Sequence, residues 1–109
     1  MNSTAASDAF PALAEPNRRK LLDALVNGPK SVTELVQAID MSQPVVSKHL
    51  RVLRDAGLVT VTPDGQRRLY HVNPQPLSEL DEWLTPYRKL WAGRLDALAE
   101  HLHATRNNT

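Results

Sequence analysis

The stretch Ser42-Gln-Pro-Val-Val-Ser-Lys-His-Leu-Arg-Val-Leu-Arg-Asp-Ala-Gly57 spells out a helix with both of its ends marked. Ser42 stands where an N-cap hydroxyl can accept an orphan N–H of the first turn. Pro44 lies inside that turn, where a missing N–H costs little. Gly57 closes the run, in position for the left-handed conformation that ends a helix. Between these ends Val46, Leu50 and Leu53 recur at i, i+4 and i+7 and form one buried stripe. Gln43, Val45, Ser47, Lys48, His49, Arg51 and Arg54 are left over: hydrogen-bonding or cationic groups around one small apolar side chain. A helix face of that composition suits the reading of base edges and the holding of phosphates.

The flanking sequence gives this helix its setting. Ser31-Val-Thr-Glu34 is a capping box that opens a helix carrying Leu35, Val36 and Ile39. Asp40 and Met41 leave only a short turn before Ser42. Two helices joined in this way predict a helix-turn-helix whose second member, over residues 43–56, is the reader. After Gly57 the apolar period changes from 3.6 to 2. Leu58-Val-Thr-Val-Thr62 is strand-like, and Pro63-Asp-Gly-Gln66 reads as a tight turn. Arg67 to Asn73 returns, with Tyr70 and Val72 on one face and Leu69 and His71 on the other. This hairpin, residues 58–73, would be the wing of a winged helix-turn-helix.

Upstream, Asp8 is placed to cap a short helix to about Leu13, with Phe10 and Leu13 as its apolar residues. Pro16 opens another, with the stripe Leu21, Leu22, Leu25 and Val26, stopped by Asn27-Gly28-Pro29. Residues 1–7 and 105–109 are expected to be disordered, which leaves one mainly α domain over 8–104. The last predicted helix, 77–104, repeats Leu77, Leu80, Leu84, Tyr87, Trp91, Leu95, Leu98 and Leu102 at a 3-4 spacing, widened by Trp83 and Leu90. A chain of 109 residues cannot easily bury that stripe on itself, so it predicts an intersubunit helix pair and a homodimer. Pro86 predicts a kink or a split near Trp83–Thr85.

Net charge is only +1, but its distribution is uneven. Residues 42–68 carry Lys48, Arg51, Arg54, Arg67 and Arg68 against Asp55 and Asp64. Residues 76–104 carry Glu79, Asp81, Glu82, Asp96 and Glu100 against Arg88, Lys89 and Arg94. Absent cysteines exclude disulfides and thiolate metal sites. No apolar run approaches the ~18 residues of a membrane span, and Met1–Ser7 lacks the regions of a signal peptide, so no membrane partner and a cytoplasmic location are expected. No nucleophile–base–orienter set or phosphate-cradling glycine loop is present, so neither an enzyme nor a cofactor is expected.

The landmarks Leu13-Ala-Glu-Pro-Asn-Arg-Arg19, Ser42-Gln-Pro-Val-Val-Ser-Lys-His-Leu50, Leu53-Arg-Asp-Ala-Gly-Leu-Val59 and Gly65-Gln-Arg-Arg-Leu-Tyr70 resemble the ArsR-type (ArsR/SmtB) bacterial transcriptional repressors. The likeness runs over about residues 9–104. Trp83-Leu-x-Pro-Tyr-Arg-x-x-Trp-x-x-Arg-Leu95 looks like a subgroup without the usual metal sites. The resemblance implies homodimers with the first and last helices at the interface, here Phe10, Leu13, Leu84, Tyr87, Trp91, Leu95, Leu98 and Leu102. It also implies binding to imperfect palindromes of double-stranded DNA and a block on transcription. The chain departs from the metal sensors of that family. It lacks their cysteine pair on the reader helix and their Asp-x-His…His-x-x-His/Glu pattern, while His101 and His103, two apart, fall on different helix faces. No metal site is expected.

The candidate DNA-binding residues are Ser42, Gln43, Pro44, Val45, Ser47, Lys48, His49, Arg51, Arg67 and Arg68. Gln43 suits adenine, Val45 a thymine methyl, and Lys48 guanine or phosphate. Arg51 suits phosphate, and Arg54 complements the helix dipole. His49 reads either as part of that face or as a structural histidine turned toward the preceding helix. Alternation sends Arg67 and Arg68 to opposite faces, so one of them is the better candidate for flanking DNA; a charged hairpin that merely guards its edge is the other reading. Arg18, Arg19 and Lys20 read as phosphate contacts or as a solvated face. Trp83, Tyr87 and Trp91 read as packing or as the lining of a small-molecule effector site. The competing functions are a winged-helix module that binds protein instead of DNA and a metal-responsive regulator with histidine and carboxylate ligands.

Overall fold

Seven elements follow one another: α1 (Ala5–Leu13), α2 (Pro16–Leu25), α3 (Val32–Ala38), α4 (Gln43–Asp55), β1 (Val59–Asp64), β2 (Arg67–Val72) and α5 (Pro74–Asn107). The computed structural model describes residues 5–107, with side chains over 9–103. Residues 1–4 and 108–109, expected to be disordered, lie outside the described residues. The chain divides after Glu79 into two units, taken separately below.

In the first unit the apolar stripes meet as their periods require. Leu21, Leu22 and Leu25 of α2, Leu35 of α3, and Val46, Leu50 and Leu53 of α4 are buried together with Leu58 and Val59. Each such side chain contributes roughly 1.5–3 kcal/mol on leaving water. The capping box forms in full: Ser31 N–H donates to Glu34 Oε1 at 2.9 Å, and Glu34 N–H donates to Ser31 Oγ at 3.2 Å. The turn between α3 and α4 is closed by Met41 N–H donating to the Ile39 carbonyl at 2.8 Å. At the other end of α4, Leu58 N–H reaches the Leu53 carbonyl and Gly57 N–H the Arg54 carbonyl, both at 2.9 Å. Gly57 has φ +79°, the left-handed conformation this pair of bonds needs. Ser42 occupies the N-cap position, but its hydroxyl makes no capping bond. Pro44, at the second helical position, has no N–H to offer, which removes one of the two donors such a hydroxyl reaches.

The wing is antiparallel, with Val59 opposite Val72, Val61 opposite Tyr70 and Thr62 opposite Leu69. Tyr70 and Val72 share a face, as alternation requires. The turn is tighter than the sequence implied. Pro63 and Asp64 are paired strand residues, and Gly65-Gln66 alone makes the connection, with Gly65 at φ +62°. A third segment joins the sheet at one residue, where the Lys30 and Tyr70 backbones exchange bonds of 3.1 and 2.8 Å. At the exit Asn73 N–H donates to the Leu58 carbonyl at 2.9 Å, and its Nδ2 donates to the Gly57 carbonyl at 2.8 Å.

Several boundaries differ from those expected. α1 begins at Ala5, so residues 5–7 are helical and Asp8 lies inside the helix instead of capping it. Val26 is the C-cap of α2 and is exposed, not part of the stripe. Arg18 and Arg19 are not a plain solvated face. Arg18 Nε donates to the Ala12 carbonyl at 2.7 Å and Arg19 Nη1 to the Leu13 carbonyl at 2.6 Å, so both close the C-terminus of α1. α5 starts at Pro74, ahead of the expected Leu77, and Asn73 Oδ1 accepts from Gln75 N–H at 3.3 Å in its first turn. Proline at the first helical position opens a helix instead of ending the strand region.

In the second unit α5 continues unsplit through Pro86 to Asn107, beyond the expected end at residue 104. Close to Pro86, side chains add bonds to Asp81, one residue before the carbonyl from which Pro86 withholds its N–H. Arg88 pairs with the Asp81 carboxylate and donates to the Asp81 carbonyl at 3.0 Å, which Thr85 Oγ1 also approaches at 3.4 Å. The Trp83 and Tyr87 rings are tilted neighbours, with centroids 4.8 Å apart. From Asp81 to His103 every side chain except Thr85 is exposed.

Candidate nucleic-acid interface

The site begins with the division of α4 into two faces. Val46, Leu50 and Leu53 hold it to the core, so its rotation is set by burial. Ser42, Gln43, Pro44, Val45, Ser47, Lys48, Arg51 and Arg54 are exposed. Among the described residues no side chain of Gln43, Lys48, Arg51 or Arg54 is engaged in a hydrogen bond or ion pair. The exposed face therefore keeps its donors and charges available. Between it and the wing lies an open cleft of about 650 Å³, lined by Ser47, Lys48, Arg51 and Arg54 from α4 and by Tyr70 from β2. Three cations against the one carboxylate of Asp55 leave this lining net positive.

His49 departs from the other candidates. It sits at i+3 from Val46 and i−4 from Leu53, which puts it on the buried stripe. Its side chain is only 15% exposed, and its Nε2 lies 3.3 Å from Glu15 Oε2. The two groups are neighbours without hydrogen-bond alignment: neither Glu15 Oε2 nor His49 Nδ1 has a hydrogen-bond partner. His49 is thus removed from the base-reading set. Its structural alternative holds in modified form, since the residue it faces is the N-cap of α2 and not α3. The spacing 46–49–50–53 carried that signal in the sequence.

The wing separates its two arginines. Arg67 donates to Asp64 Oδ2 at 2.8 Å and lies 3.7 Å from Glu34 Oε1. The hydrogen bond and charge of Asp64 hold the guanidinium above its ordinary pKa. The same Glu34 is held below the usual carboxylate range, first by the Ser31 N–H, then by the Ser31 hydroxyl, with smaller help from Arg67 and Lys30. Arg67 therefore braces the hairpin on the first turn of α3. Arg68 is exposed, shares a strand face with Tyr70, and has no ion pair among the described residues. Opposite it stands Pro63, which has no charge to offer.

The expected interface residues show a second kind of surface. Leu84, Tyr87, Trp91, Leu95, Leu98 and Leu102 are all exposed, as is Phe10 of α1, while Leu13 is half-buried. Among the described residues no three His, Cys, Asp or Glu side chains gather so as to hold a metal ion. No helix among them is long and apolar enough to cross a membrane.

Comparison with known proteins agrees with this geometry. Residues 15–61 match the model of the bacterial regulatory protein, arsR family. The chain is 36% identical over 101 residues to the HTH-type transcriptional regulator Rv2034 of Mycobacterium tuberculosis, covering 93% of this chain and 92% of that one. It is 30% identical over 78 residues to the transcriptional repressor SdpR of Bacillus subtilis, covering 72% and 87%. Among solved structures it resembles the homodimeric winged helix-turn-helix DNA-binding domain of Mb0332 from Mycobacterium bovis, a possible ArsR-family regulator. That likeness has a TM-score of 0.64 and 25% identity, covering 78% of this chain and 79% of that one.

Proposed function

Since the chain belongs to the ArsR family of bacterial regulatory proteins, we propose that it acts as a homodimeric repressor whose two α4 helices read one pseudo-palindromic operator. The family makes it a DNA-binding transcriptional regulator, not an enzyme. Repression is the action named for SdpR and homodimerisation that named for the Mycobacterium bovis domain. For this chain the dimer is supported by the exposed stripe of α5, and DNA as partner is consistent with a cytoplasmic site of action.

The observation that carries the reading is the free face of α4. Its N-terminal half, with Ser42, Gln43, Pro44, Val45, Ser47 and Lys48, enters the major groove. Gln43 pairs with adenine, Val45 meets a thymine methyl, and Lys48 takes guanine or phosphate. Arg51 holds phosphate at the cleft, and Arg68 reaches the flanking backbone from the wing. Two such helices one DNA turn apart, ~34 Å, set the half-site spacing. No metal enters this reading, which follows the sequence pattern: no cysteine and none of the histidine spacing of the family's metal sensors. A small-molecule effector is compatible with it.

The test is selection of genomic DNA fragments by the purified protein, with and without Zn²⁺ and a chelator. The expected result is a pseudo-palindrome whose recovery is indifferent to metal. Release of the fragments by Zn²⁺ would transfer the reading to a metal-responsive regulator, and no enrichment by a folded protein would transfer it to a protein-interaction module. On the selected duplex, Gln43→Ala relaxes preference at one base position, at ~1–3 kcal/mol of discrimination. Arg51→Ala weakens all sequences alike and lowers the salt slope by about 1.

A further inference from the structure

Glu15 and His49 form a polar contact inside the first unit that base reading does not use directly. Glu15 is the N-cap of α2, and its Oε1 accepts from Asn17 N–H at 3.1 Å. Its other oxygen, Oε2, is buried and lies 3.3 Å from His49 Nε2. His49 stands midway along α4, between Lys48 and Arg51. Its ring is enclosed, and Nδ1 has no partner. Val46, Leu50 and Leu53 press α4 onto the core, but apolar contact is non-directional and tolerates a small turn of the helix. A carboxylate oxygen shut off from water and facing an imidazole does not, because separating them leaves that oxygen without a polar neighbour.

We infer that His49 is a positioning residue for DNA reading: its contact with Glu15 fixes the rotation of α4, so that Gln43, Val45, Ser47 and Lys48 face the base edges. The inference rests on the DNA-reading function proposed above. Base contacts depend on angle and reach, whereas phosphate contacts from flexible arginines survive a small rotation. Losing the pair therefore lowers discrimination more than it lowers general affinity for DNA.

The experiment compares affinity for a duplex selected by the wild-type protein from a random pool with affinity for an unselected duplex of the same length. His49→Leu, which keeps an apolar filling, is expected to reduce the ratio about tenfold, the scale of leaving one buried polar oxygen without a polar neighbour, with affinity for the unselected duplex nearly unchanged. His49→Gln offers an amide donor to Glu15 and restores most of the ratio. Glu15→Ser keeps a capping oxygen on α2 but cannot span to His49, so it lowers the ratio as His49→Leu does. The double variant falls no further than either single one, since both remove the same contact. Wild-type ratios in His49→Leu and Glu15→Ser overturn the inference, as does an equal loss on both duplexes, the mark of a merely structural role. If His49→Leu does not fold, Glu15→Ser decides alone, because it leaves α4 untouched. A folded wild-type protein that selects no duplex defeats the DNA reading itself; one that selects normally while both variants discriminate normally defeats only the positioning role.

Discussion

Val46, Leu50 and Leu53 of α4 are at most 1% exposed, whereas Trp91, Leu95 and Leu98 of α5 are at least 50% exposed. Both helices are written with the same kind of 3-4 apolar spacing. α4 uses its stripe inside its own subunit, and what remains outside is polar and cationic. α5 buries Leu80 but leaves its stripe open from Leu84 on, and what it offers there is apolar area. The difference teaches that periodicity fixes which residues share a face but not which partner covers that face. The partner follows from how much apolar surface the rest of the chain can cover. In the proposed regulator the two helices therefore have different addressees: nucleic acid for α4 and a second copy of the chain for α5. The wing repeats the contrast on a small scale, since Arg67 is engaged within the chain and Arg68 is not.

The strongest way to break the contrast is to disturb the covered stripe. Leu50→Ala should destabilise the fold by about 2–5 kcal/mol, read by urea unfolding, because it opens a cavity in a full core. A loss below 1 kcal/mol would mean that the α4 stripe is not held as described. Next comes the open stripe. Leu95→Glu should turn a dimer into a monomer in sedimentation at micromolar concentration, with a loss of at least ~2 kcal/mol of association. Helical content up to α4 should stay intact. If the variant sediments as wild type, the interface lies elsewhere. Sharpening the wing contrast, Arg68→Ala should reduce the salt slope of DNA binding by about 1, while Arg67→Ala should leave that slope unchanged and loosen the hairpin, measured as faster amide exchange at Asp64 and Gly65.

The smallest effect concerns the capping box. The Glu34 carboxyl is held below its usual range chiefly by the Ser31 N–H. A group whose folded pKa is depressed contributes stability that is fully present above its unfolded value and is lost as pH falls through the folded one. Wild-type protein should therefore melt above Glu34→Gln at neutral pH. The difference should close on acidification, through and below the ordinary glutamate range, and a difference that grows with acid would reverse this assignment.

Local signals with a single physical meaning were legible from the chain. The Ser31–Glu34 box, the close at Gly57 and the change of period after it all reappear at the expected residues. The exposed face of α4 could be written down from spacing for every residue but His49. What was not legible depends on groups distant in sequence. Arg18 and Arg19 find carbonyls six and seven residues back only because α1 ends beside them. Lys30 joins the sheet through one backbone exchange, which leaves no periodic trace. Asp8 looked like a cap because its residue type favours caps, but the helix already begins at Ala5. His49 was half legible, since its place on the stripe was there to count while its partner Glu15 was not. The separation of Arg67 from Arg68 needed only alternation, but which of them would be engaged depended on the hairpin register that sets Arg67 opposite Asp64, with Glu34 of α3 a more distant second partner.

Asn73 binds the carbonyl of Gly57 with its side chain and that of Leu58 with its N–H, so the chain leaves the wing where it entered. The hairpin hangs from a closed neck. Its length is thereby uncoupled from the spacing between the reader and the last helix. A lengthened tip at Gly65-Gln66 costs only loop entropy, about 0.6 kcal/mol for each doubling, and shifts neither neighbour. In evolutionary terms the wing is an exchangeable cassette: under the proposed function, a lineage can retune how far it reaches without rebuilding the helix assigned to the operator or the helix assigned to the subunit pair.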